Sequence, residues 1–174
     1  VCLGDPRMDV YANSSRVRCK KKRPVILIGA AGYDNIDLNS YLAYEFDFLK
    51  DVLSACEILI QQGFEMELVI KVRPNGYLKQ YADFVKEYFP GLPIELHDSI
   101  PFREIAEQSD FYISFYSQTI LEVSSLGIPA IYYKKDNQFS HPPFDGKSEL
   151  ITALSIKDLI DKIGLYYSGS KAYD

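Results

Sequence analysis

The stretch Ser109–Tyr133 places the strongest constraint on what this chain can fold into. It opens with an apolar run of strand length, Phe111–Phe115, and closes with a second one, Ala130–Tyr133. Between the two runs the sequence predicts a short helix that begins at Thr119 and stops at Gly127. Two buried strands joined through a helix form a right-handed parallel crossover, the building unit of an α/β sheet.

Small polar residues lie where the first of these strands passes into the helix, at Ser117, Gln118 and Thr119. Thr119 is the predicted N-cap, and Glu122 completes a capping box with it. The first amides of a helix have no partner within it, and they attract anions. These residues therefore predict a phosphate site. The alternative is that they only cap the helix.

The rest of the chain alternates apolar runs with amphipathic segments. The predicted strands are Pro24–Gly29, Met66–Val72 and Ile94–His97, and the predicted helices are Leu38–Gln62, Tyr77–Tyr88, Phe102–Gln108 and Ser155–Tyr166. This alternation predicts an α/β fold: a doubly wound, mostly parallel, Rossmann-like sheet with helices on both faces. The 174 residues, of which 47% are hydrophobic, are enough for one well-buried core.

Composition limits the classes of partner. A net charge of -5 argues against nucleic acid, because neutralising phosphates requires a basic face. The cysteines at positions 2, 19 and 56 fit neither a disulfide framework nor a zinc site, which favours a reducing cytoplasm. No apolar segment is long enough to cross a bilayer. The basic run Arg16–Arg23 is interpreted as a solvated linker, or as a peripheral contact with the inner face of a membrane.

Ligands of such sheets bind outside the carboxyl ends of the strands, near the point where the strand order reverses. Small, polar and cationic residues lie at or after the carboxyl ends of the predicted strands, namely Gly32, Lys71, Arg73, His97, Ser117, Gln118 and Thr119. We therefore expect an electropositive rim that suits a diphosphate. Lys71 and Arg73 are the predicted catalytic cations, offsetting charge on a departing nucleoside diphosphate, and the alternative is that they form surface ion pairs.

The segment His97–Phe102, with Ile100 at its centre, is the predicted pocket for the nucleobase. We interpret it as a binding loop, since a lone histidine at a strand end more often makes a structural hydrogen bond than acts as a base. Gly29 and Gly32 follow the first strand and permit close approach of a ligand or a partner domain. They do not form the dinucleotide fingerprint.

The order Ser109-Asp110, apolar strand, Ser117, Thr119 and Glu122, then Gly-x-Pro and a second strand, resembles the C-terminal, donor-binding half of GT-B fold glycosyltransferases. It is similar to capsule and surface polysaccharide glycosyltransferases, CDP-glycerol glycerophosphotransferases and nucleotide-sugar 2-epimerases. The resemblance implies that Ser117, Gln118 and Thr119 hold the nucleotide diphosphate and that Glu122 binds the ribose hydroxyls. It also implies leaving-group stabilisation by helix amides and cations, with no metal and no cofactor.

Gly4-Asp-Pro-Arg-Met-Asp9 resembles the segment with which polyol-phosphate transferases and epimerases enter their second domain. Residues 1–23 are therefore the predicted interdomain linker, and residues 24–174 the donor-binding domain. The acceptor domain, with the catalytic base, would be absent from this chain, which should bind a donor but hardly turn it over. Arg73-Pro74 resembles the basic-Pro motif of those transferases, in which His usually precedes Pro.

The resulting functional hypothesis is transfer of a sugar from a nucleoside diphosphate to a hydroxyl of a glycan or lipid-linked acceptor, in surface polysaccharide assembly. The alternatives are a CDP-glycerol-type polyol-phosphate transferase, a 2-epimerase-like domain, or a non-catalytic α/β module that contacts other proteins.

Overall fold

The structure, a computed structural model, describes residues 22–30, 40–74, 77–115, 117–134, 145–147, 150–169 and 173. The strands are β1 Val25–Gly29, β2 Glu67–Lys71, β3 Ile94–His97, β4 Phe111–Ser114, β5 Ala130–Tyr133 and β6 Thr152–Ala153. The helices are α1 Ser40–Gln61, α2 Leu78–Tyr88, α3 Phe102–Gln108, α4 Thr119–Ser125 and α5 Ile156–Ser168. This alternation is the predicted one.

The six strands form one sheet in the order β3-β2-β1-β4-β5-β6, and every neighbouring pair is parallel. The predicted α/β, Rossmann-like fold is thereby confirmed. The strand order reverses between β1 and β4, which are adjacent although two strands separate them in sequence. Gly29 at the end of β1 is paired with Lys71 on one side and Ser114 on the other, so three carboxyl ends meet at the reversal point.

Alternating side chains of the buried strands enter two separate cores, one on each face of the sheet. Ile26 and Ile28 of β1 belong to the larger core, which also contains side chains of α1, α2 and α5. Leu27 belongs to the smaller core, formed with α3 and α4. Each of these three side chains is fully buried, which stabilises the fold by roughly 1.5–3 kcal/mol per residue.

The pair Ser109-Asp110 has a structural role at the start of β4. The hydroxyl of Ser109 donates to the carbonyl of Ile105, 2.7 Å away, at the end of α3. The carboxylate of Asp110 accepts from the amide of Val25 at 2.9 Å, and the amide of Asp110 donates to the carbonyl of Val25 at 2.9 Å. This part of the GT-B-like pattern therefore aligns β4 with β1 and lies at the end of the sheet away from the reversal point.

Two features differ from the sequence-based expectation, strand β6 and the end of helix α5. Strand β6 was not predicted, because two residues carry no readable period; it is defined by hydrogen bonds to β5, such as Tyr132 N–H to Ile151 O at 2.8 Å. Helix α1 is described from Ser40 onward, and its predicted start near Leu38 lies outside the described residues. Helix α5 runs to Ser168 and ends at Gly169 in the left-handed conformation, while its predicted serine cap, Ser155, accepts from the amide of Asp158 at 3.2 Å.

Most of the predicted linker 1–23, including Arg16, lies outside the described residues. Its last two cations form exposed ion pairs, Lys22 with Glu65 and Arg23 with Glu67, each at 3.4 Å. Membrane contact through the basic run stays a prediction. Within the described ranges, no helix combines the length and apolarity needed to cross a membrane.

Candidate functional site

A cleft of about 270 Å³ lies at the carboxyl ends of β1, β2 and β4, beside the reversal point of the strand order. Five of the predicted site residues line it: Lys71, Arg73, Ile100, Ser117 and Thr119. They come from three separate segments, the ends of β2 and β4 and the loop between β3 and α3. The parallel sheet brings these segments together, as expected for strands whose ends face the same edge.

Lys71 is buried, with 8% of its surface exposed, and its ammonium group contacts the backbone. Nζ donates to the carbonyl of Val72 and to that of Asp98, both at 2.8 Å. Burial lowers the pKa of Lys71, and the negative charge of Asp98 acts in the opposite direction. Because an ammonium has three donors and two are used here, at most one remains for a ligand. Lys71 thus also fixes the loop after β3.

Arg73 is the exposed cation of the cleft. It lies two residues after the end of β2, and the neighbouring Pro74 limits the backbone conformation at position 73. No ion pair of Arg73 occurs within the part of the chain that the structure describes. An exposed guanidinium outside any such ion pair can donate two parallel hydrogen bonds to the oxygens of one phosphate.

Three hydroxyl groups form a hydrogen-bonded series inside the cleft. The Tyr112 hydroxyl lies 2.5 Å from Thr119 Oγ1, which lies 2.7 Å from Ser117 Oγ. Ser117 Oγ also accepts from the amide of Thr119 at 3.3 Å. Burial raises the pKa of Tyr112 to about 12, although its hydrogen bond to Thr119 acts against this shift. Tyr112 is therefore neutral and keeps its proton at physiological pH.

Gly29 makes room for this series. A Cβ atom at position 29 would lie 2.0 Å from the hydroxyl oxygen of Tyr112 and 2.7 Å from Cζ of the same ring. The close approach that the sequence predicted at Gly29 is therefore used by a side chain of the protein itself. Gly32, the other predicted glycine, lies outside the described residues.

The start of α4 corrects one expectation. The N-cap is Gln118 rather than Thr119, the Gln118 side chain makes no capping hydrogen bond, and the predicted capping box is not formed in that register. The amides of Ile120 and Leu121 donate to the carbonyls of Ser117 and Gln118, at 3.3 and 2.9 Å. With the Thr119 amide on Ser117 Oγ, these three amides are used within the turn, so the side-chain hydroxyls rather than these amides face a ligand.

The remaining predicted residues lie around the cleft. Within the described chain, its lining does not include His97, Gln118 or Glu122. His97 is half-buried at the end of β3, and its ring nitrogen Nε2 lies 3.4 Å from a carboxylate oxygen of Glu95. Gln118 is exposed and Glu122 half-buried. The donor-binding roles of these three residues stay predictions.

One wall of the cleft is largely apolar and belongs to the loop after β3. Ile100, Pro101 and Phe102 line it, and the role of this segment as the nucleobase pocket stays a prediction. The ring of Phe102 meets the ring of Tyr112 edge-on, with centroids 5.7 Å apart and an angle of 73°. The cleft therefore has one polar wall, with hydroxyls and a cation, and one apolar wall.

Comparison with known proteins identifies the type of fold. No family model and no curated protein matches the chain. A UDP co-structure of S. aureus MnaA superposes with a TM-score of 0.60 and 14% identity, over 98% of this chain and 41% of that one. UDP-GlcNAc 2-epimerase from Neisseria meningitidis bound to UDP-GlcNAc gives a TM-score of 0.60 and 14% identity, over 96% and 41%. The chain has a GT-B-like fold.

A putative UDP-N-acetylglucosamine 2-epimerase from Listeria monocytogenes agrees, with a TM-score of 0.60 and 13% identity over 99% of this chain and 41% of the other. The chain thus spans about two fifths of the length of these structures. At such low identity the likeness concerns the fold. The division into a linker and a donor-binding domain stays a prediction.

The sequence reading missed Tyr112 as a residue of this GT-B-like cleft. Its position inside an apolar strand run indicates a core side chain, and only the approach of Thr119 and Gly29 gives its hydroxyl a place in the site. Within the described residues, no group of three or more His, Cys, Asp or Glu side chains is placed to hold a metal ion. Ligand binding without a metal stays a prediction.

Proposed function

We propose that this chain binds the nucleoside diphosphate part of a nucleotide sugar in the cleft, as one half of a two-domain GT-B-like enzyme. The observation that carries the proposal is the cleft itself. At the reversal point of the strand order, Arg73, Ser117 and Thr119 line the cleft together with the apolar residues Ile100 and Phe102. A charged diphosphate attached to a flat base requires both kinds of surface.

In this proposal Arg73 binds phosphate oxygens, and the hydroxyl of Ser117, which is hydrogen-bonded to that of Thr119, donates to the same group. The base packs against Ile100 and Phe102, on the loop that Lys71 holds in place through the Asp98 carbonyl. Charge on a departing diphosphate would be offset by Arg73, with at most one donor from Lys71. The sugar would extend from the open cleft toward the other half of the enzyme.

Among the reactions that share such a half-site, we favour 2-epimerase-like chemistry on a UDP-sugar over glycosyl transfer. The support is that three solved structures with this fold are a UDP co-structure of MnaA and two UDP-GlcNAc 2-epimerases, one of them putative and one with UDP-GlcNAc bound. Surface polysaccharide glycosyl transfer and CDP-glycerol-type transfer remain hypotheses from the sequence pattern. A preference for CDP-glycerol over UDP-GlcNAc in binding would move the assignment to polyol-phosphate transfer.

Isothermal titration calorimetry of the 174-residue chain with UDP, CDP and GDP tests the proposal. We expect one of them, UDP first, to bind, and Arg73→Ala to weaken binding about tenfold or more, because a hydrogen bond to a charged group is worth about 1.5–3 kcal/mol. We expect the same binding in the presence of EDTA.

Arg23→Ala is the matched control. It removes the same charge at the opposite end of the sheet, where Arg23 pairs with Glu67. We expect it to leave the affinity for UDP unchanged. A folded chain that binds none of the three diphosphates overturns the proposal, and equal losses in both variants would indicate only a nonspecific effect of charge and would reject the role of Arg73.

A further inference from the structure

The hydroxyl series of the cleft runs from the core to the ligand side. Tyr112 is fully buried on β4, while Ser117 and Thr119 are half-buried and line the cleft. The two links measure 2.5 Å and 2.7 Å. The outermost oxygen, Ser117 Oγ, is therefore connected to a tyrosine whose side chain has no solvent-exposed surface.

Such a series can be polarised in two directions, because each hydroxyl holds one proton. If Tyr112 donates to Thr119 and Thr119 donates to Ser117, the proton of Ser117 is left for a ligand. If the series runs inward, Ser117 presents lone pairs, and the proton of Tyr112 needs an acceptor inside the core. The amide of Thr119 already donates to Ser117 Oγ, which fits the outward direction.

Phosphate oxygens only accept hydrogen bonds at neutral pH, so they discriminate between these two states. We propose that Tyr112 is a positioning residue: it donates to Thr119 and so orients the series such that Ser117 presents a proton to a phosphate oxygen of the ligand. This inference rests on the proposed function and deepens it, because it places the phosphate of the ligand, whose oxygens only accept hydrogen bonds, at the Ser117 end of the cleft.

The surroundings hold Tyr112 in this state. The backbone of Gly29 lies against the hydroxyl, and the edge of Phe102 lies against the ring, so the side chain has little room to turn away. Burial keeps the phenol protonated, since its pKa is raised to about 12. Ser114, two residues along the strand, is close enough to Tyr112 to lower that pKa slightly. Its buried hydroxyl makes no hydrogen bond of acceptable geometry within the described chain.

The test is Tyr112→Phe, which keeps the ring and removes only the hydroxyl. Calorimetry at pH 7.5 should show a five- to tenfold weaker affinity for UDP, while the weak binding of uridine, followed by NMR titration, stays unchanged. If Tyr112 acted through packing alone, Tyr112→Phe would weaken the binding of UDP and of uridine by the same factor. Thr119→Val, which interrupts the series at its middle, should weaken UDP binding similarly, and the double variant should lose less than the product of the two effects.

Tyr133→Phe is the matched control, because Tyr133 is also a buried strand tyrosine, and its hydroxyl donates to Asp51 at 2.7 Å on the other face of the sheet. We expect its affinity for UDP to equal that of the wild type. If Tyr112→Phe proves unfolded, Thr119→Val alone decides by the same comparison of UDP with uridine.

The two proposals fail in different ways. A folded wild-type chain without affinity for any nucleoside diphosphate overturns the proposed function and this inference with it. Wild-type binding of UDP that Tyr112→Phe and Thr119→Val leave intact, or that they reduce equally for uridine, overturns the inference alone.

Discussion

Gly29 and Tyr112 depend on each other at the centre of the sheet. They lie on adjacent strands whose ends meet at the reversal point, and the hydroxyl of the tyrosine occupies the space above the glycine. The tyrosine is fully buried in the smaller core. A change at either position is therefore transmitted to the polar wall of the cleft.

Gly29→Ala should lower the free energy of unfolding by about 2 kcal/mol, because an added Cβ overlaps a packed aromatic side chain. The added Cβ would lie 2.0 Å from the hydroxyl oxygen of Tyr112, and only a movement of Tyr112 relieves this overlap. Urea denaturation measures the loss. In a Tyr112→Ala background the same substitution should cost much less, and an undiminished cost there would show that the clash is not with the tyrosine.

Gly164→Ala is the control for adding a methyl group to a glycine. Gly164 lies inside α5, with nothing within 4 Å of an added Cβ. We expect this variant to be more stable than the wild type by about 0.5–1 kcal/mol, since alanine loses less conformational entropy in a helix.

At the scale of single residues, the sequence predicted those site residues whose position depends on their own strand. Lys71, Arg73 and Ser117 lie at or after the carboxyl ends of predicted strands and line the cleft. The role of Tyr112 was not predictable in this way, because it depends on which strand lies beside β4 and on how closely that strand approaches. A residue inside an apolar run gives no sign that its hydroxyl reaches a polar site.

Among the elements, β2 and the loop before α3 are joined by Lys71. The lysine lies at the last position of β2. Its ammonium group donates to the carbonyl of Val72, directly after β2, and to that of Asp98, in the loop before α3. Burying an ammonium is favourable only when such partners are present. The position of the apolar wall of the cleft therefore depends on this one side chain.

Lys71→Met should lower the free energy of unfolding by about 2 kcal/mol, because two hydrogen bonds from a charged donor are lost while some cost of charge burial is relieved. Amide hydrogen exchange of residues 98–101 should become faster, and UDP binding weaker. The control Lys79→Met removes an exposed ammonium that pairs with Asp83, and it should change none of these readouts. Equal behaviour of the two variants would show that the link does not support the loop.

The N-cap of α4 was not predictable from the sequence of that helix alone. Thr119 has the residue type and spacing of an N-cap, and at Ser155 of α5 the same reasoning is confirmed. At α4 the threonine hydroxyl instead bonds to Tyr112 and Ser117, and the cap moves to Gln118. Tertiary contacts of the cleft thus override the local preference.

At the scale of the whole molecule, alternation of strands and helices was enough to predict a parallel sheet, but not its strand order. The crossover rules fix the handedness of each connection and leave several orders open. The order found here places β4 beside β1, and the cleft exists because of that adjacency. Contacts between segments that are distant in the sequence decide the strand order, so the local sequence pattern does not predict it.

Buried phenols distributed through both cores set the response of the whole chain to high pH. Burial raises the pKa of Tyr112 to about 12, and it also raises the pKa values of Tyr133, Tyr167 and Tyr173. Tyrosines of an unfolded chain ionise near pH 10. Above that pH the unfolded chain therefore binds fewer protons than the folded one, and the free energy of unfolding falls as the pH rises.

We expect the urea midpoint to fall gently from pH 8 to 9, where burial of the Cys56 thiol, with its pKa raised to about 12, already contributes, and to fall steeply from pH 10 to 11. The contribution of Tyr112 is fully present below pH 10 and is lost as the pH rises toward 12. Lys71 opposes the trend, because its lowered pKa makes the folded chain lose a proton before the unfolded one. Tyr112→Phe should flatten the slope above pH 10 by up to about 1.4 kcal/mol per pH unit.

Tyr88→Phe serves as the control for this pH series, because Tyr88 is 55% exposed and should not change the slope. Measuring both variants and the wild type from pH 8 to 11 separates a buried phenol from tyrosine content in general. Parallel curves for the wild type and Tyr112→Phe above pH 10 would mean that Tyr112 ionises as readily in the folded chain as in the unfolded one. The phenol would then lose its proton well below pH 12. Tyr112 would still donate to Thr119 at neutral pH but would no longer do so at alkaline pH.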